Sequence, residues 1–283
     1  MRKLTGFATS AVVLALGCAL VAPAAGAADT GAPVSSQCVP AASGFEQARL
    51  AEVTDPAGID SFDAARDRIA RLRELLVHSG DYRGTFVLAF DEILELTGPT
   101  LNAGIYDDEQ WASDLAVEVV RLYVANLHEY VTGGTPAPHW ADAFALTEQC
   151  DRSPGRVLTA AIVAHLVTDF PEALVTIGSG PEHTRDFYTF GNALVAAAPR
   201  IAEEFKAVYG TDLGPFFTGW FVGDLLGAER TTTLMFQSAR TVAWVNNFGL
   251  QNPTTRDATR AEMRIATAVA GEVLDLLEEA RTI

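Results

Sequence analysis

The chain has 283 residues, 49% of them hydrophobic, with 20 Lys and Arg against 36 Asp and Glu and a net charge of −16. An acidic protein of this kind repels phosphate backbones and anionic headgroups, which argues against nucleic acid and anionic membrane surfaces as partners. Its length and apolar content suffice for a sizeable core, near the upper size for one domain.

Residues 1–28 open with Arg2 and Lys3, continue in an apolar run from Ala11 to Val21 and end in the small residues Ala25, Gly26 and Ala27. That is the layout of a secretory signal peptide. The expected location is therefore secreted or extracellular, with lipid anchoring through Cys18 as the alternative. Of the 20 basic residues, Arg2 and Lys3 leave with the leader, so the mature chain carries about −18, with Lys206 as its one lysine. Cys38 and Cys150 remain as an even pair in an oxidising compartment and are expected to bridge. The bridge would tie an extended N-terminal arm, 29–60, to the helical domain expected over 61–283, stabilising the fold by roughly 2–4 kcal/mol. No later apolar run reaches the ~20 residues of a membrane span without a charge, Pro or Gly, so no transmembrane segment is expected.

From Ser61 onward, helical periodicity follows helical periodicity. SFDAARDRIARLRELLVHSG places Ile69, Leu72, Leu75 and Leu76 at helical spacing between a capping Ser61 and Gly80. RGTFVLAFDEILELTG carries Phe86, Phe90, Ile93 and Leu94 on one stripe and ends at Gly98-Pro99. A longer pattern begins at Asp107-Asp108 and stops at Gly133-Gly134. Pro138 and Ser153-Pro154 each start a further helix, the first running to about Cys150 and the second to about Ile177, with a bend expected near Pro171 and, in the next helix, a kink at Pro199. A short aromatic segment, DLGPFFTGWFVGDLLG, precedes two final helices separated by QNP. Phe216, Phe217, Trp220 and Phe221 of that segment are expected in the core or lining an apolar pocket. There is no sustained two-residue alternation and no repeat. The expected fold is a single all-α domain of about eight or nine helices.

Within VLTAAIVAHLVTDFPEAL, His165 and Asp169 stand four residues apart in the most apolar helix. Residues at that spacing share a face. The pair can act as two ligands of a metal ion, or as a base with its orienting acid, or Asp169 can simply satisfy a core histidine. The candidate chemistry is a metal-assisted hydrolase with one divalent ion such as zinc. His165, Asp169, His128 and Asp186 are its ligand candidates, and His165, Asp169 and Arg240 its catalytic ones, with polar support from Asn192, Trp140 and Trp244. The alternative is a non-catalytic protein that binds a lipid or other hydrophobic small molecule between its helices. A third arrangement is a structural network of His165, Asp169 and Arg240. His78, His139 and His183 read as surface or packing residues. Phosphate loops, His-Glu-x-x-His and clustered cysteines are absent from the sequence, and Gly178-Ser179-Gly180 lacks a strand before it, which disfavours a serine hydrolase.

The order Trp140-Ala-Asp-Ala-Phe144, Ala164-His-Leu-Val-Thr-Asp-Phe-Pro171, Asp186-Phe-Tyr-Thr-Phe-Gly-Asn192 and Ser238-Ala-Arg-Thr-Val-Ala-Trp244 resembles a bacterial domain-of-unknown-function family of helical proteins. The resemblance covers roughly Asp107 to Leu250 and implies a helical fold without an assigned activity. Such proteins often carry Asn where this chain has Val163 and Val167. A more distant likeness, through His-x-x-x-Asp alone, is to helical zinc-dependent phospholipases C and P1-type nucleases, which carry many more histidines.

Overall fold

A computed structural model describes residues 38–40, 44–218, 228–281 and 283. The expected leader, Cys18, Trp220 and Phe221 lie outside the described residues. Among the described residues ten helices make a single all-α domain, and there is no strand. They are α1 (Gly44–Thr54), α2 (Phe62–Leu76), α3 (Thr85–Thr97), α4 (Glu109–Thr132), α5 (Pro138–Thr147), α6 (Pro154–Thr176), α7 (Thr184–Tyr209), α8 (Gly214–Thr218), α9 (Ala228–Gln251) and α10 (Arg256–Glu279).

The helix ends are set by local chemistry. Ser61, Asp108 and Ser153 accept hydrogen bonds from the amides of Ala64, Trp111 and Arg156, satisfying donors that a first helical turn leaves unpaired. α5 and α6 start with Pro138 and Pro154, where a missing N–H costs nothing. Gly133 ends α4 at φ 77°, a left-handed conformation that glycine adopts freely. The arm expected to be extended over 29–60 contains α1, whose Leu50 and Val53 are buried. Cys38 and Cys150 are bridged, with their Cα atoms 5.1 Å apart.

The core is a continuous apolar cluster centred on α3, of which Val87, Leu88, Ala89, Phe90 and Leu94 are all buried. α3 packs most extensively on α7 and also meets α2 and α6. α9 covers the second half of α6 and one side of α7, while α10 closes over the first half of α6. By length and composition α6 could cross a bilayer, yet 67% of its apolar window is buried in the fold, as in a core helix. α7 runs on through Pro199 without ending.

α6 likewise continues through Pro171. Its middle, His165–Asp169, widens into a π turn in which the Phe170 amide bonds to the His165 carbonyl, five residues back. Pro171 has no amide to donate and its ring crowds the turn before it. One wide turn is a common way to absorb such a residue within a helix, and such turns recur at functional sites.

Candidate functional site

The Phe86-Phe90-Ile93-Leu94 stripe of α3 does not close completely against its neighbours. It faces α6, α7 and α9 across a cavity of about 70 Å³, several times the room one water needs. Its walls are almost wholly apolar. His165 and Arg240 are the two titratable side chains on its lining among the described residues.

His165 is enclosed by rings: those of Phe86 and Phe90 are each 5.4 Å from the imidazole and that of Phe170 is 5.7 Å away. Its Nδ1 is buried without a hydrogen-bond partner. Loss of solvation pushes its pKa down to about 4; the Asp169 carboxylate raises it somewhat, while Arg240 and His139 lower it further. The imidazole is neutral at physiological pH. A buried polar atom without a partner costs free energy unless a ligand or water supplies one.

Asp169 has a different set of neighbours from the expected one. Its Oδ1 is 2.7 Å from His139 Nε2, and its Oδ2 accepts a 2.6 Å bond from Trp140 Nε1. Both partners come from the first turn of α5, so the carboxylate latches α5 to the π turn of α6. The expected His165–Asp169 partnership is corrected accordingly: both residues are buried, but the acid serves α5 and the imidazole faces the rings and the cavity. His139, expected as a packing residue, is the imidazole that Asp169 orients. Neither Asp169 nor His139 is on the cavity lining.

Arg240 is 2% exposed. Its Nη2 donates to the Phe187 carbonyl at 2.8 Å and its Nη1 to Gln237 Oε1 at 3.2 Å. Its guanidinium carbon lies 4.3 Å from the centroid of the Phe187 ring and 5.4 Å from that of Phe170. Burial lowers its pKa to about 9, against a partial rise due to Tyr188 and Tyr106. The network expected between Arg240, His165 and Asp169 is not formed. The route of the guanidinium is provided by Gly191 of α7, where any added Cβ would overlap Arg240 Nη1.

The remaining candidates are dispersed. Asp186 is buried, but its two oxygens accept the amides of Asp107 and Asp108 at 2.8 Å each, anchoring the start of α4. His128 bonds Thr54 Oγ1 through Nδ1 at 3.1 Å, joining α4 to α1. The four residues proposed as metal ligands therefore do not meet. Among the described residues no group of three or more His, Cys, Asp or Glu side chains is placed to hold an ion. Asn192 is exposed, contrary to its expected supporting role. Trp244 packs its ring 4.6 Å from Phe187, and Trp140 bonds Asp169. His183 stacks on Trp111 at 5.2 Å and His78 is exposed.

Fold and site together define a single-domain helical protein with an apolar interhelical cavity whose lining includes one imidazole and one guanidinium. Residues 62–278, well over half of the chain, match the model of DUF5995, a family of unknown function, and the chain belongs to that family. Comparison with curated proteins and with solved structures gave no match. The likeness to zinc-dependent phospholipases C and P1-type nucleases receives no support from these comparisons.

Proposed function

We propose that this is an exported, non-catalytic protein that binds a hydrophobic small molecule in the cavity between α3, α4, α6, α7 and α9. The observation that carries this reading is the lining itself, a wall of phenylalanine and aliphatic side chains interrupted by His165, whose Nδ1 has no protein partner. Ligand sites are characteristically apolar clefts with a few polar groups that fix orientation. Export is supported by the layout of residues 1–28 and by the Cys38–Cys150 bridge, a feature of oxidising compartments. The metal-assisted hydrolase is the weaker reading, because Asp169, Asp186 and His128 each spend their polar atoms on separate structural bonds.

A neutral fluorescent probe, 1-aminoanthracene, tests the reading. Its emission should rise on titration into the protein with saturation at one site. Leu194→Trp, which adds bulk at a partly exposed position on the lining, should weaken binding at least about tenfold through overpacking. No saturable emission, or equal affinity in the variant, would contradict it.

A further inference from the structure

We propose that the ligand is a monoanionic amphiphile, a carboxylate on a short alkyl or aryl tail, with its head at Arg240 and its tail along the phenylalanine wall. The proposal rests on the reading of the cavity as a ligand site and goes on to specify the ligand's charge. Two arginines are buried among the described residues, and they are treated differently by the fold. Arg156 has the Asp275 carboxylate 2.9 Å from its Nε. Arg240 bonds only neutral groups among its described contacts, the Phe187 carbonyl and the Gln237 amide oxygen, with the Phe170 and Phe187 rings close by. A buried guanidinium without an anion is costly, and the usual resolution is a paired carboxylate with good geometry. Among the described residues none is placed to pair with it.

The position of this cation is built into the helix packing. Gly191 on α7 leaves the space that the guanidinium fills, and Gln237, one turn before Arg240 on α9, holds its Nη1. Among the described residues the cavity that Arg240 lines has no second fixed charge, since His165 is neutral there. One negative charge on the ligand balances the site, whereas two would leave an unpaired anion in an apolar enclosure. His165 and Arg240 flank the same ring, Phe170.

Three eight-carbon probes distinguish the possibilities by isothermal titration of the full chain at pH 7.5: octanoate, 1-octanol and octyl phosphate, which is largely dianionic there. Octanoate should bind at least about tenfold more tightly than octanol, the usual range for a hydrogen bond to a charged group, and more tightly than octyl phosphate. Arg240→Met keeps much of the side chain's length and removes its charge. It should abolish the octanoate advantage while octanol binding persists. If octanol equals octanoate, or octyl phosphate binds best, the proposed head group is wrong and the cavity reading stands. If aminoanthracene binds and octanoate does not, the head group is likewise wrong; if no apolar probe binds, the cavity reading falls as well. The comparison of the three probes on the unsubstituted chain decides the matter even if Arg240→Met fails to fold.

Discussion

His165 concentrates the physical tension of this molecule in a single side chain. In the unfolded chain it takes up a proton near its ordinary value of 6.5, but in the fold it remains neutral down to about 4 because burial penalises the cation. Between these values the unfolded state holds more protons, so this residue makes stability fall as pH falls from 6.5 and the loss is complete near 4. The magnitude is roughly 3 kcal/mol for a shift of this size. His165→Phe, set among Phe86, Phe90 and Phe170, removes that contribution. Urea unfolding of both proteins at pH 7 and pH 4.5 should show a smaller acid-induced loss in the variant, by about 2–3 kcal/mol. Equal losses would mean that His165 is solvated or paired in the fold. The sequence made the burial of this histidine legible, since Leu158, Ile162, Leu166 and Val167 surround it with apolar positions. It could not show which donors Asp169 would choose. Helical spacing measures proximity along one helix, and His139 and Trp140 approach from another.

At the scale of elements, helix starts and stops were legible because they depend on neighbours in sequence. Ser61, Asp108, Pro138, Ser153 and Gly133 all mark ends where local hydrogen bonding demands them. The π turn before Pro171 was not, because a bend and a wide turn both follow from the same missing amide, and α7 stays helical through Pro199. The crossing of α7 and α9 gives a test in which two effects oppose each other. Gly191 lies inside α7, and alanine in a helix interior is favoured over glycine by up to about 1 kcal/mol. Its missing Cβ, however, is the space occupied by Arg240 Nη1. Gly191→Ala should therefore destabilise the protein by about 1–3 kcal/mol, as overpacking does, measured by thermal or urea unfolding. A stabilised variant would show that the guanidinium has room to move aside.

For the whole molecule, the apolar stripe of α3 was legible as core, but the space beside it was not. Phe86, Phe90, Ile93 and Leu94 carry the same pattern whether the facing helices close on them completely or leave room for a guest. Only the arrangement of α6, α7 and α9 decides between these outcomes. Family membership covers 62–278 and supplies no activity to carry over, so the function rests on the cavity and its two polar side chains. The most direct measurement is a ¹³C-methyl NMR titration of alanine-labelled protein with 1-aminoanthracene. Ala89 and Ala116, which line the cavity, should shift and saturate together, while Ala65 and Ala270, buried elsewhere, should stay in place. Shifts confined to surface alanines, or none at all, would contradict a binding site in the interior.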